Sequence, residues 1–487
     1  MDSSAAKTAK KYCLIAGLSA WLLLSCVLAF NTAVDPYGMY RLIEVKGFNL
    51  HKPAIYHRTR LFKAYDVRRI KPSAIVLGTS RSHVGLRMSH EGWDPTATPR
   101  YNLAFDGATT KEMYFYLRHA DAIHPIKQVV LGLDIYQPTL APSSARPDFD
   151  PELLFETRSL ISRLRVTLAD LKILSSIDTL TASVKTLWSQ NDGEPEWFAA
   201  DGQRLGEVFF RRYEEDFQRS PRAYFDEIDR LEVGFKLDDS GQVPLKRASH
   251  SPGPKIKADE TSLGYIQRII EFCRTRRIDL RIFITPEHAH QMEISAAVGA
   301  WHSIEKAKRD LVRLLSEDTA KHPGEPPVPL YDFSGYNSIT TESLPEPGSL
   351  EEMKYYWDSS HFKEIVGDFV LDRLFGIDRP KRPVPGGFGL RLNDDTIGSA
   401  IAGMRAGQIA YRRSHPQDIA AICSSVDSVL QKTDRQINPA HSPCWPDCGC
   451  AARFGEEPWA MQKAISFSPE THLSSTASFR SSLYKPC

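Results

Sequence analysis

The run Ile75-Val76-Leu77-Gly78-Thr79-Ser80-Arg81 decides how this chain is read. Its apolar start predicts a strand buried on both faces, and the glycine opens a tight turn that presents a serine. Working outward, Tyr101–Phe105 predicts a second strand, and Met113–Ile123 has helical spacing. The β-branched run Gln128-Val129-Val130-Leu131-Gly132-Leu133-Asp134 predicts a third strand, of the kind buried in parallel sheets. Repeated strand-then-helix units imply parallel strands with helices on both faces.

The alternation breaks over residues 140–255, which read as an insertion over one end of the sheet. A helical segment, Leu160–Trp188, carries an apolar stripe at Leu164, Leu168, Leu171 and Leu174. Packing on the domain is the expectation for this stripe, and a place near a membrane is the alternative. The pattern resumes with a helix at Ser262–Arg276, a strand at Leu280–Pro286, and a long helix at Ala296–Leu315. Val328–Phe333 reads as the last strand, at an edge because of its proline, and Ile365–Leu374 as the closing helix. Pro380–Gly387 marks the end of this domain. The expected organisation is therefore residues 1–34, then a domain over 35–380, a helical extension over 381–426, and a poorly ordered tail over 427–487.

The chain has 487 residues, 42% of them hydrophobic and 25% charged, which is the composition of a folded globular protein. A formal net charge of +1 gives no support for nucleic-acid binding. Lys7, Lys10 and Lys11 precede an apolar run from Tyr12 to Phe30. About 19 residues rising about 1.5 Å each nearly match a hydrocarbon core of about 30 Å. This predicts a single transmembrane helix with the lysines on the cytoplasmic side and the remainder outside. A cleaved signal peptide is the competitor, but its apolar core is usually shorter.

Cys13 and Cys26 lie in this run and Cys273 is isolated, whereas Cys423, Cys444, Cys448, Cys450 and Cys487 crowd the end. Their spacing is not that of a zinc site, so no metal and no cofactor is expected. His288 and His290, two apart, lack a visible third ligand and read as a structural or substrate-contacting loop.

The second chemical segment is Trp357-Asp358-Ser359-Ser360-His361-Phe362, at the start of the closing helix. A carboxylate and an imidazole three residues apart complement Ser80 as orienting acid, base and nucleophile. Asp121-Ala122-Ile123-His124 has the same spacing, but it precedes a strand and so lies at the wrong edge of the sheet. Open α/β sheets carry their sites outside the carboxyl ends of strands, where Ser80, Gly107, Asp134, Asp358 and His361 all map.

Gly78-Thr79-Ser80-Arg81, Asn102-Leu103 with Gly107, Gly132-Leu133-Asp134 and Asp358-x-x-His361 resemble, in order, the blocks of the SGNH (GDSL-like) hydrolases. The nearest resemblance is to their membrane-anchored branch, which includes alginate O-acetylation proteins. The resemblance covers about residues 35–380. It implies a three-layer α/β/α sandwich with a mostly parallel, doubly wound, flavodoxin-like sheet behind one transmembrane helix. It also implies a serine acyl esterase or O-acyltransferase, acetyl being the expected group, in the inner membrane with its domain in the periplasm. The substrate would be a cell-surface polysaccharide, and a membrane acyl-donor protein a further partner.

By the same resemblance Ser80 is the nucleophile, His361 the base and Asp358 its orienter. The N–H groups of Ser80 and Gly107 form the oxyanion hole, with Asn102, Asp134 and Arg81 beside it. Much of the superfamily has asparagine where this chain has Asp134, and an ionised carboxylate cannot donate to an oxyanion. Asp134 thus leaves a second reading open, a catalytically weak or inactive polysaccharide-binding or assembly protein. Arg81 can bind a polyanion or pair with Asp134, and the pair is the favoured reading.

Overall fold

A computed structural model describes residues 3–138, 143–154, 160–191, 196–208, 210, 220–237 and 257–437. The chain enters through α1 (Ser3–Val34), which is long and apolar enough over Thr8–Val34 to cross a membrane, a property that N-terminal signal sequences share. Then come α2 (Thr59–Ile70), β1 (Ala74–Leu77), α3 (Ser80–Gly85), β2 (Arg100–Asn102), α4 (Thr110–Ile123) and β3 (Gln128–Leu133). The insertion contributes α5 (Leu160–Leu174), α6 (Ile177–Trp188) and α7 (Pro221–Leu237). The alternation continues through α8 (Ser262–Arg276), β4 (Asp279–Ile284), α9 (Ala289–Ala297), α10 (Trp301–Lys321), β5 (Leu330–Asp332) and α11 (Glu364–Phe375). A two-residue strand, β6 (Leu390–Arg391), then precedes α12 (Ile397–Ser414) and α13 (Pro416–Ile437).

Among the described residues the sheet has six strands in the order β2-β1-β3-β4-β5-β6. The first five run parallel and β6 pairs antiparallel with β5. Every residue of β1 and β3 is buried, as central parallel strands require. Their side chains alternate between two apolar clusters with the period of two that a strand imposes. Ile75, Leu77, Val129, Leu131, Ile282 and Ile284 pack with residues of α2, α4, α8 and α10. Ala74, Val76, Val130 and Phe283 pack instead with Trp93 and with Val366, Phe369 and Val370 of α11. Strand order reverses beside β1, since β2 lies on one side of it and β3 on the other. That reversal is where open parallel sheets leave a crevice.

Several expectations are corrected. The segment Leu160–Trp188 is two helices, because Ser176 caps a new one by accepting from Thr179 N at 3.1 Å. Ala296–Leu315 likewise spans the end of α9 and most of α10, broken at Gly299 with φ +81°. Val328–Phe333 contains β5 but is not the last strand, and β6 carries the sheet past the boundary expected at 380. Phe388, fully buried 4.9 Å from Phe333, fastens that extension to the core. The tail expected from 427 begins inside α13; residues 438–487 lie outside those described, as do residues 139–142, 155–159, 192–195, 209, 211–219 and 238–256 in and beside the insertion. The stripe on α5 does not pack on the domain: Leu164, Leu168 and Leu171 are exposed, and only Leu174 is buried.

Candidate active site

A serine that follows a strand and opens a helix is usually an N-cap, but here Thr79 holds that position and Ser80 is the first helical residue. Thr79 does not cap either; its Oγ1 donates to Asp134 Oδ1 at 3.0 Å. The turn is tight because a Cβ on Gly78 or on Gly132 would collide with Ser82, which is fully buried between the two. Ser80 Oγ is therefore left at the carboxyl end of β1, half-buried and 2.9 Å from His361 Nε2.

Asp358 and His361 do not open the closing helix, as the sequence suggests. They sit in a loop before it, pinned by Trp357 N donating to His361 O at 2.9 Å and Lys363 N to Tyr355 O at 2.7 Å. Asp358 is fully buried, and its Oδ1 accepts from the backbone N–H groups of Ser360 and His361, each at 2.7 Å. Its Oδ2 lies 2.8 Å from His361 Nδ1. With the Nδ1 proton committed to this carboxylate, Nε2 is left to accept from Ser80. The loop reaches Ser80 because α3 and α11 meet backbone to backbone: a Cβ on Gly367 would overlap Gly85 O, and one on Gly85 would overlap the Phe362 ring. Phe210 packs against the imidazole, with ring centroids 5.5 Å apart.

The other expected site residues have different places. Asp134 is fully buried and accepts from Thr79, from Arg81 Nη1 at 2.7 Å and from Tyr136 OH at 2.8 Å. Arg81 is 4% exposed, also donates to Ser360 O at 3.1 Å, and lies 3.4 Å from Glu287. Neither faces solvent, so neither is placed to bind a substrate; together they brace both sides of Ser80 and the loop of His361. Burial favours a neutral guanidine, but Asp134 and Glu287 hold the Arg81 pKa well above its ordinary value. Burial, aided by Asp134, raises that of Glu287.

Asn102 is also fully buried, and its Nδ2 donates to Ser82 O at 3.1 Å and Leu86 O at 3.0 Å. It satisfies carbonyls at the end of α3, a structural duty in place of the expected contact with substrate. Gly107 stays at the rim, in a turn with φ +60°. Phe105 N donates to Gly78 O at 3.2 Å, which ties that turn to the one bearing Ser80.

Sequence reasoning missed three contributors, which carry no motif. Lys63 is fully buried, donating to Asn102 O at 2.6 Å, Gly202 O at 3.0 Å and Ala104 O, and burial lowers its pKa well below the usual lysine value. Asp106, next to Gly107, pairs with Arg204 at 2.6 Å and His83 at 3.3 Å. Burial opposes its charge, yet Arg204 and His83 hold its carboxyl well below the usual range, with His361 adding to the effect. Glu232 of α7 accepts from Ser360 Oγ at 2.7 Å, joining the insertion to the His361 loop.

His288 and His290 are both buried in protein contacts. His288 Nε2 lies 2.8 Å from Glu342 O, and His290 Nδ1 lies 2.7 Å from Asp229. Among the described residues no group of three or more His, Cys, Asp or Glu is placed to hold a metal ion. Asp121 and His124 have separate partners, Arg276 at 2.7 Å and Ser73 at 3.4 Å.

Compared with models of known protein families and with curated proteins, the chain matches none.

Proposed function

We propose that this chain is a serine acyl esterase or O-acyltransferase of the SGNH type, anchored by α1 with its domain in the periplasm. Its fold is then the three-layer, flavodoxin-like sandwich, a reading supported by the strand order and the two apolar clusters. One observation carries the chemistry: the continuous relay from Ser80 Oγ through His361 to buried Asp358.

In this reading Ser80 Oγ attacks the carbonyl carbon of an acyl ester, acetyl being the expected group, while His361 Nε2 takes its proton. The tetrahedral oxyanion forms beside the N–H groups of Ser80 and Gly107. Ser80 N–H, in the first turn of α3, has no intrahelical acceptor. Collapse expels the alcohol, which takes the proton from His361, and leaves an acyl-serine. Water then releases the acid, or a sugar hydroxyl of a cell-surface polysaccharide takes the acyl group. A transferase would draw the group from a membrane acyl-donor protein.

The non-catalytic reading has two grounds, the large insertion and Asp134 as a misplaced anion in the oxyanion hole. That carboxylate is enclosed by Thr79, Arg81 and Tyr136, so it does not favour that reading. The test is covalent labelling of the full chain by a fluorophosphonate. Wild type is expected to be modified at Ser80 and Ser80→Ala to be silent; an unlabelled wild type would sink the enzyme.

A further inference from the structure

Five apolar side chains of α5 are exposed at three- and four-residue spacing: Leu160 (82%), Ile161 (66%), Leu164 (60%), Leu168 (57%) and Leu171 (43%). The opposite face of the helix, with Val166 and Ala169, is buried. A helix that is apolar on both sides has two partners, one of them the protein and the other absent from it.

The position of α5 says what the second is. Both α5 and α6 pack on α1. Asn31, in the last turn of α1, donates to Leu174 O at 2.7 Å and accepts from Ser183 Oγ at 2.8 Å. The α5–α6 corner is therefore fixed at the end of α1, directly below the apolar run Tyr12–Phe30. The segment after α1 adds Leu42, Ile43 and Val45, all exposed, and is tied to the same end by Asn49 donating to Ala33 O at 3.0 Å. The exposed charges of α5 are basic, Arg163, Arg165 and Lys172. Its acidic residue, Asp170, is engaged by the hydroxyls of Tyr40 and Tyr65.

We infer that α5 lies in the plane of the membrane interface and forms, with Leu42, Ile43 and Val45, a second lipid-binding element beside α1. An exposed apolar stripe flanked by cations is what such an interfacial helix requires. The inference rests on α1 being a membrane span. Its effect would be to restrain the tilt of the domain on the bilayer, which one spanning helix alone leaves loose.

The test uses the full chain in phosphatidylcholine–phosphatidylglycerol nanodiscs, with a genetically encoded fluorophore replacing Leu18, Leu164, Leu168 or Glu317 in turn. Nitroxides placed shallow or deep on the acyl chain act as quenchers. An interfacial helix sits about 5–10 Å into the headgroup–acyl boundary, so shallow nitroxides are expected to remove about half or more of the emission at 164 and 168. Position 317, exposed on α10, is expected to keep its emission, and position 18 to be quenched by the deep nitroxide. Quenching at 18 with positions 164 and 168 behaving like 317 overturns the inference and leaves the anchor standing. Blue-shifted but unquenched emission at 164 and 168 also overturns it, because a protein surface or a second copy then covers the stripe. No quenching at 18 removes the anchor and the inference together.

Discussion

At the scale of single residues, Ser80 is held in place by a pair of opposite charges that never meet solvent. Arg81 and Asp134 flank and underlie the turn, and Arg81 also grips the loop of His361 through Ser360. Arg81→Met leaves Asp134 and Glu287 buried without their cation. It is expected to cost about 3–5 kcal/mol in urea unfolding. Arg81→Lys should not restore this, since one ammonium cannot reach Asp134 and both Ser360 acceptors from one position. Asp358→Asn separates chemistry from stability. Its amide oxygen still accepts from Ser360 and His361, but the Nδ1 tautomer is no longer enforced. Esterase kcat is expected to fall by about 10⁴ with an unchanged circular dichroism spectrum. Ser80, His361 and Asp358 were legible in the sequence because the acyl-transfer chemistry proposed for them needs those residue types. Lys63, Asp106 and Glu232 were not, because a lone lysine or carboxylate has no signature until burial and partners are known.

At the scale of elements, the meeting of α3 and α11 brings His361 to Ser80. Gly85 and Gly367 permit it, and their meaning is invisible in sequence, where neither stands in a turn. Gly85→Ala pushes a methyl into Phe362 and is expected to destabilise by about 1–3 kcal/mol while lowering kcat, with partial recovery in Gly85→Ala/Phe362→Leu. A second junction joins α7, α9 and α13 through buried His290, 2.7 Å from Asp229 and 3.7 Å from Asp418. Burial opposes its charge, but the two carboxylates raise its pKa from 6.5 to about 9. The folded value exceeds the unfolded one. The contribution is therefore complete below about pH 6.5 and lost as pH rises through about 9, and it amounts to on the order of 3 kcal/mol. Unfolding free energies at pH 6 and pH 10 should differ by more in wild type than in Asp229→Asn; equal differences would remove His290 as the cause.

At the scale of the whole molecule, the proline- and glycine-rich run after residue 380 is a crossing rather than an end. Truncation after Pro380 removes Phe388 and β6, uncovering Phe333 and the free edge of β5, and is expected to yield aggregated protein. Phe388→Ala in the full chain should cost about 3–5 kcal/mol in thermal or urea unfolding. Local patterning determined the apolar α1, the buried parallel strands and the residue types of the proposed site, because burial and chemistry write themselves into periodicity and motif. Tertiary structure alone decided which side chains meet. It turned Asn102 from an expected contact with substrate into a buried brace, and it buried the Arg81–Asp134 pair, the reading already favoured for Arg81, beneath the Ser80 turn. It left the α5 stripe bare beside α1, and it set Ser80 Oγ 2.9 Å from a base 281 residues away in sequence. The physical reason is that the fit of two helices through their glycines, and the pairing of charges across elements, are properties of packed pairs that no single stretch of chain contains.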